Sequence, residues 1–200
     1  MSRILLATRN LGKVAELRRI LGPQVTVLGL GDVVEFPEEP ETGATFEENA
    51  LDKARQAAAA TGEIALADDS GFCVDALNGM PGVLSARWSG RHGDNPANNA
   101  LLLGQLNDVP DERRGAGFVC ALAMALPGGE EYVERAEWRG RVLRVPRGTN
   151  GFGYDPLFQP DDCDGLASAE LEPEVKDLKS HRGLAIRLML PSMHRVLSSR

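Results

Sequence analysis

The sequence predicts an α/β fold in which a mixed, twisted sheet is flanked by helices. The chain begins with an apolar segment, Arg3–Ala7, and after a short loop continues into an amphipathic stretch at 11–21. A second helical stretch runs directly into another apolar segment at Ile64. Later, 118–126 and 132–138 flank a Pro-Gly-Gly turn, which is typical of an antiparallel hairpin. Strands joined through helices pair in parallel, so one sheet should contain both kinds of pairing.

Composition limits the class of protein. The chain has 200 residues, enough for a single domain over 1–200, either as one large unit or as two tightly packed lobes. A net charge of −7 argues against nucleic acid as a partner, because such binding depends on clustered Lys and Arg. Cys73, Cys120 and Cys163 are odd in number and far apart, which suits a reducing compartment, and no apolar run reaches membrane-spanning length. We expect a cytoplasmic protein without a membrane partner.

The loop before the first helix is a candidate anion site. It places Thr8, Asn10 and Lys13 at a helix N-terminus, where backbone N–H groups and the helix dipole favour a phosphate. It is not a P-loop, because the first glycine of that motif is missing and Val14 stands where a hydroxyl would bind magnesium. From these residues alone, a capped helix with a surface lysine is the favoured interpretation.

An acidic, proline-containing loop at 32–41 precedes the second helix. Thr45 begins that helix, which should run to about Thr61, and Glu48 completes a capping box with Thr45. Helix capping therefore accounts for Glu48. It does not account for Glu41, whose carboxylate could meet those of the strand that follows.

Two adjacent carboxylates, Asp68 and Asp69, follow the apolar run that begins at Ile64. We expect the strand to end there, and a cation to bind these charges, because a buried strand does not normally carry unpaired carboxylates. Side chains alternate along a strand, so one carboxylate should do the chemistry while the other supports it. The alternative is a simple turn over 68–71, since Asp, Ser and Gly all favour turns.

The second half of the chain adds a helix from Asn95, the hairpin and a further short strand at 141–145. The segment 148–156, GTNGFGYDP, suits a loop that brings backbone and an aromatic ring close to a flat ligand, although a tight structural turn is the competing explanation. His181 and Arg182 open the last helix. Cations there oppose the helix dipole, which indicates an anionic ligand.

Together these segments resemble the Ham1 family, the inosine triphosphate pyrophosphatases, over almost the whole chain. Five motifs follow in the family's order and spacing: ATRNLGK, ETGATFEENALDKA, ADDSGFCVDALNGMPGVLSAR, GFGYDP and SHR. The first carries the family's T-x-N-x-x-K at Thr8, Asn10 and Lys13. Five motifs in register are far more specific than any one of them.

The resemblance implies hydrolysis of ITP, dITP or XTP to the monophosphate and pyrophosphate, with Mg2+, by a homodimer. It implies a Maf/Ham1-like protomer with two lobes and the active-site cleft between them. Asp69 would be the catalytic base and a metal ligand, Glu41 the second ligand and Asp68 their support. The implied substrate-binding residues are Thr8, Arg9, Asn10, Leu11, Gly12, Lys13, Ser70, Phe152, Gly153, Tyr154, Asp155, Lys176, His181 and Arg182.

The same resemblance assigns roles to these residues. The segment 8–13 should hold the triphosphate, and Ser70 should touch the substrate. The ring of Phe152 or Tyr154 should stack on the base, while Lys176, His181 and Arg182 read its oxo group.

Two other classes stay open. A Maf-like pyrophosphatase for modified or pyrimidine nucleotides would share the fold and the reaction. A non-catalytic nucleotide-binding regulator would keep Lys13 and the aromatic loop but would not need Asp69.

Overall fold

The computed structural model describes residues 2–9, 11–37 and 39–198, and it confirms the α/β class. Within these residues, six strands form one sheet in the order β2-β1-β3-β4-β5-β6. Strand β1 pairs in parallel with β2 and β3, whereas β5 and β6 are antiparallel, so the sheet is mixed as predicted. The strands are β1 Ser2–Leu6, β2 Val25–Leu28, β3 Ala65–Val74, β4 Gly115–Ala125, β5 Glu131–Val142 and β6 Phe158–Pro160. The helices are α1 Leu11–Leu21, α2 Phe46–Thr61, α3 Asn95–Gln105, α4 Pro173–Lys179 and α5 His181–Ser198.

Helix α2 forms for local reasons that the sequence already shows. The Thr45 hydroxyl accepts a hydrogen bond from the Glu48 N–H, and the Glu48 carboxylate accepts one from the Thr45 N–H, which completes the capping box. Gly62 ends the helix with φ of +71°, a conformation that glycine adopts without strain. Within the described chain, no helix combines the length and apolar character needed to cross a bilayer.

Strand β3 is longer than the sequence predicts. The expected end at the two aspartates is wrong, and so is the alternative of a turn over 68–71, because the strand continues through both carboxylates to Val74. Phe72 and Val74, which follow the carboxylates, are fully buried. Their packing holds this segment extended despite its turn-forming residues.

Other element boundaries also differ from expectation. Strand β5 runs without a break to Val142, so the separate strand predicted at 141–145 is not formed. Strand β6 was not predicted. Helix α3 begins at Asn95 as expected and is capped by Asp94, whose carboxylate accepts the Ala97 N–H.

The chain divides into two compact units. The first contains the chain up to Asp69, Cys120–Ala136 and the residues from Arg182 onward, and its core includes Leu66 and Leu122. The second contains Ser70–Val119 and Glu137–His181, with a core centred on aromatic rings. Strands β3, β4 and β5 each supply residues to both units. The single domain over 1–200 stays a prediction.

Candidate active site

The first unit holds a cluster of charged side chains around the middle of β3. Asp68 is 5% exposed, and the Nζ atom of Lys13 donates to both of its oxygens, at 3.0 Å and 2.8 Å. Arg182 Nε donates to Asp68 Oδ2 at 3.3 Å. Burial alone would raise the pKa of Asp68, but the charges of Lys13 and Arg182 hold that pKa well below its ordinary value. Asp68 is therefore a fixed negative charge that positions two cations.

Asp69 has different partners, all on helix α2. Asn49 Nδ2 donates to Asp69 Oδ2 at 2.9 Å, and Lys53 Nζ lies 3.4 Å from Asp69 Oδ1. Asp68 is bound from α1 and α5 instead, as expected for neighbours on opposite faces of a strand. Burial raises the pKa of Asp69, and the opposing influence of Lys53 and Asn49 offsets this only in part. A carboxylate with a raised pKa is the better proton acceptor of the two.

Glu41 joins this cluster through Lys53. Lys53 Nζ donates to Glu41 Oε1 at 2.9 Å and also to the backbone oxygen of Asp68 at 2.9 Å. Glu41 and Asp69 thus converge on one ammonium group. Burial lowers the pKa of Lys53, but the charges of Asp69 and Glu41 outweigh that effect and raise it.

The arrangement around Lys53 fits a hard divalent cation. Two carboxylates and a carbonyl oxygen converge there, and oxygen atoms are the ligands that Mg2+ prefers. No group of three or more His, Cys, Asp or Glu side chains suited to a metal occurs among the described residues. Two carboxylates are nevertheless sufficient where phosphate oxygens complete the coordination.

The loop before α1 lies beside a groove in the same unit. Thr8, Arg9 and Leu11 line this groove, which has a volume of about 530 Å³, together with residues from 30–36. Leu11 is 81% exposed at the first position of α1, and Lys13 lies one half-turn further on. Gly12 is also in this turn, while Asn10 falls outside the described residues. The role of this segment in binding phosphate stays a prediction.

The second unit holds another cluster, built on the segment 151–155. Asp155 is 2% exposed and accepts hydrogen bonds from Lys176 Nζ at 2.5 Å, Ser168 Oγ at 2.8 Å and the Phe152 N–H at 2.7 Å. Gly151 has φ of +77°, and a Cβ atom there would lie 2.2 Å from Asp155 Oδ2. The glycine is therefore required for the carboxylate to fold back onto its own loop.

The two aromatic residues of this loop have opposite environments. Phe152 is 55% exposed, and Lys176 Nζ lies 5.3 Å from its ring centroid. Tyr154 is 4% exposed, stacks on Phe72 at 5.2 Å and donates its hydroxyl hydrogen to the Ser85 carbonyl at 2.9 Å. The expectation that either ring could stack on a base is thus corrected for Tyr154, since its ring is part of the core. Gly153 accepts at its carbonyl from Asn99 Nδ2 at 3.0 Å.

The remaining candidates lie at the ends of elements. His181, the first residue of α5, is 6% exposed, and its ring stacks on Phe118 at 4.9 Å. Arg182 follows directly, and both it and Asp68, to which it donates a hydrogen bond, belong to the first unit. Ser70 is half-buried on β3. The substrate contacts of these three residues stay predictions.

Sequence reasoning missed Asn49, Lys53 and Asn99. Asn49 and Lys53 lie four residues apart on α2, inside a motif that was explained by capping and by its alanine face. Asn49 is only 3% exposed, and it also accepts the Gly43 N–H at 2.8 Å. The usable signal was a pair of polar residues at helical spacing on the same face as buried alanines.

An α/β sheet carries two buried carboxylates, Asp68 paired with Lys13 and Arg182 and Asp69 with Lys53, and such a cluster of acids and cations fits an enzyme that acts on a phosphorylated substrate. More specifically, the chain belongs to the Ham1 family, which it matches over residues 4–192.

Similar proteins support this membership at high identity. A protein of Nocardia farcinica named dITP/XTP pyrophosphatase is 62% identical over 197 residues, covering 96% of this chain and 95% of its own. A dITP/XTP pyrophosphatase from Mycobacterium tuberculosis H37Rv is 58% identical over 197 residues, covering 96% of each chain. The structure of a HAM1 protein from Coxiella burnetii has a TM-score of 0.88 at 37% identity, covering 98% of this chain and 100% of that one.

Proposed function

We propose that this protein hydrolyses the non-standard purine nucleoside triphosphates dITP, XTP and ITP to the monophosphate and pyrophosphate. The proposal is supported by its family membership and by relatives named dITP/XTP pyrophosphatase. The observation that carries it is the different environment of Asp68 and Asp69. One carboxylate is neutralised by Lys13 and Arg182, while the other has a raised pKa and shares Lys53 with Glu41.

In the proposed reaction, Asp69 acts as the general base. It accepts a proton from water as the water oxygen bonds to the α-phosphorus. The α–β anhydride bond breaks, and pyrophosphate leaves with the bridging oxygen. Lys13, which Asp68 holds in place, balances negative charge on the triphosphate together with the Thr8–Arg9 segment.

We propose Glu41 and Asp69 as the residues that hold Mg2+. When bound, the ion would neutralise phosphate oxygens and make the α-phosphorus more susceptible to attack. Asn49 would orient Asp69 through its hydrogen bond to Oδ2.

Selection of the base is assigned to the second cluster. Phe152 offers an exposed ring for stacking, and Lys176 is held beside it by Asp155. Hypoxanthine and xanthine present an acceptor oxygen where adenine presents an amino group, and a lysine ammonium can only donate. Adenine would therefore lose the hydrogen bond from the lysine and leave that donor unpaired, and a site of this kind rejects such an analogue strongly.

Product analysis tests the proposal. The purified protein should convert ITP, dITP and XTP, with Mg2+, to the monophosphate and pyrophosphate, as resolved by ion-exchange chromatography, and should act weakly on ATP and dUTP. Formation of IDP and orthophosphate would contradict it. Preference for dUTP would favour the Maf-like alternative, and nucleotide binding without any turnover would favour a regulator.

We further propose a cytoplasmic homodimer that has no nucleic-acid partner. The net charge of −7 and the three scattered cysteines, none of which forms a disulfide, support the compartment and the absence of nucleic acid. The dimer rests on family resemblance, and light scattering after size-exclusion chromatography tests it. A monomeric mass at micromolar concentration would contradict it.

A further inference from the structure

Lys53 occupies the point on which the two proposed metal ligands converge. Its ammonium group has three hydrogen-bond donors, and three oxygens surround it. These are Glu41 Oε1 at 2.9 Å, the backbone oxygen of Asp68 at 2.9 Å and Asp69 Oδ1 at 3.4 Å. All three residues lie in the first unit, as does Lys53 itself.

The backbone of Lys53 is fixed, whereas its side chain is able to move. Helix α2 is fixed by its capping box and by fully buried alanines, including Ala50, Ala54 and Ala57, so the Lys53 backbone has a set position. The Lys53 side chain is 24% exposed, and its four-carbon stem is flexible. Movement of this side chain therefore needs no change in the helix.

Lys53 is the cation that both carboxylates contact. Glu41 and Asp69 each carry one negative charge, and the single positive charge of Lys53 lies 2.9 Å from the first and 3.4 Å from the second. A divalent cation would balance the pair, but an ammonium and a divalent cation repel each other strongly at contact distance in a partly buried site. The two cations cannot share the same carboxylate oxygens.

We propose that Lys53 is a cationic placeholder, which holds Glu41 and Asp69 together in the metal-free protein and competes with the divalent ion for them. The inference rests on the proposed function, because it takes Glu41 and Asp69 as the metal ligands. Metal binding then requires the Lys53 ammonium to withdraw from both carboxylates. The free protein consequently binds a divalent ion more weakly than its two carboxylates alone would.

Direct metal binding to the full-length, nucleotide-free protein tests this competition. Free Mn2+ is measured by electron paramagnetic resonance for wild type, Lys53→Met and Lys53→Arg. Lys53→Met should lower the Kd for Mn2+ by about tenfold or more, within the usual range for coupling between two ligands. Lys53→Arg keeps the charge and should not tighten binding. Arg55→Met is the matched control, because Arg55 lies on the same helix but pairs with Glu131 and Asp52, and its Kd should equal that of wild type.

Thermal unfolding gives a second readout that a merely structural role would not produce. Without metal, Lys53→Met should have a lower Tm than wild type, because the attraction of the Lys53 ammonium for Glu41 and Asp69 is lost while the two carboxylates still repel each other. Saturating Mn2+ should remove most of that deficit. A Tm deficit that persists in saturating metal, or a Kd that is unchanged or higher in Lys53→Met, would overturn the placeholder role.

Asp69→Asn separates this failure from failure of the proposed function. If Asp69→Asn binds Mn2+ as tightly as wild type, the metal ligands are wrongly assigned and the proposed function loses its metal site. If Asp69→Asn weakens Mn2+ binding while Lys53→Met does not strengthen it, the assignment of the metal ligands is upheld. Only the competition between Lys53 and the divalent ion is then refuted.

Discussion

Asp68 and Asp69 are consecutive residues of β3, yet their carboxylates have different surroundings. Alternation along the strand turns Asp68 toward Lys13 and Arg182, and Asp69 toward Asn49 and Lys53. The first carboxylate is stabilised in its charged form. The second is less stabilised in that form. This difference favours Asp69 as the proposed base and Asp68 as its support.

Substitution of the two proposed metal ligands should affect catalysis in different ways. Asp69→Asn should lower kcat for ITP by at least about 100-fold, because an amide cannot accept the proton, while ITP binding survives. Glu41→Gln should mainly raise the Mg2+ concentration needed for half-maximal rate. Rapid-quench kinetics and calorimetric titration with ITP measure both effects. A rate near wild type in Asp69→Asn would show that Asp69 is not the general base.

Asp68 should also contribute to stability in a pH-dependent way. Its pKa in the folded protein lies below the ordinary value of 3.8, so its contribution is present above about pH 4 and is lost as the pH falls below that value. Asp68→Asn should lower the free energy of unfolding by roughly 3 kcal/mol at neutral pH, because Lys13 and Arg182 lose their carboxylate. Urea unfolding at several pH values measures this. An equal deficit at neutral and strongly acidic pH would contradict it.

Among the elements, the 151–155 loop depends on backbone conformation as much as on side chains. Gly151 and Gly153 both have positive φ, of +77° and +62°, but only at Gly151 would a Cβ atom collide with Asp155. Two hydrogen bonds hold the loop: the Asp155 carboxylate accepts the Phe152 N–H within it, and Asn99 on α3 donates to the Gly153 carbonyl. Its conformation fixes where Phe152 and Lys176 lie.

Gly151→Ala and Gly153→Ala form a matched pair that tests this loop. In both variants the free energy of unfolding should fall by about 1–2 kcal/mol, because alanine is strained in the left-handed conformation that each glycine adopts. Gly151→Ala should in addition raise KM for ITP and lower Tm further, because the new methyl group displaces Asp155. Steady-state kinetics and thermal unfolding of both variants decide the point. Indistinguishable variants would show that the contact with Asp155 does not matter.

Helix α4 carries two lysines with different partners. Lys176 binds Asp155 and lies over Phe152, whereas Lys179 pairs with Asp162 at 3.1 Å. A hydrogen bond to a charged group contributes about 1.5–3 kcal/mol, so Lys176→Ala should lower kcat/KM for ITP about 10- to 100-fold and change the ATP value less. Lys179→Ala should leave the ITP-to-ATP ratio unchanged. An equal loss toward both nucleotides in Lys176→Ala would mean that Lys176 does not read the base.

For the whole molecule, three strands supply side chains to two hydrophobic cores. On β3 alone, Leu66 belongs to the core of the first unit and Phe72 to that of the second, and both are fully buried. Phe72 lies among aromatic rings, 4.7 Å from Phe118 and 5.2 Å from Tyr154 between centroids. Loss of one core should therefore disturb the strands that build the other.

The single domain predicted from sequence should consequently unfold in one cooperative transition. Leu66→Ala should cost about 2–5 kcal/mol and Phe72→Ala about 3–5 kcal/mol, each by leaving a cavity. Each variant should shift the same single transition in urea, followed by both far-UV circular dichroism and tryptophan fluorescence. Two separated transitions, with each variant shifting only one, would show that the units are independent domains.

Local sequence determined the elements whose causes are local. The Thr45–Glu48 capping box and Gly62 predict helix α2, and hydrophobic periodicity predicts helix α1 near the start of the chain. The adjacency of Asp68 and Asp69, the unexplained Glu41 and the glycines around Phe152 also pointed to residues that take part in the two side-chain clusters. Alternation further required the two aspartates to face opposite ways, as their partners confirm.

Tertiary structure decided everything that depends on partners distant in sequence. Strand β3 continues through its aspartates because Phe72 and Val74 are buried beyond them, which outweighs the turn preference of the local sequence. Tyr154 is a core residue because its ring stacks on Phe72 and its hydroxyl donates to the Ser85 carbonyl, whereas Phe152, two residues earlier, is exposed. Lys53 meets Glu41 and Asp69 only because α2 packs where its side chain reaches both, and no local pattern encodes a contact between residues 12 and 16 positions apart.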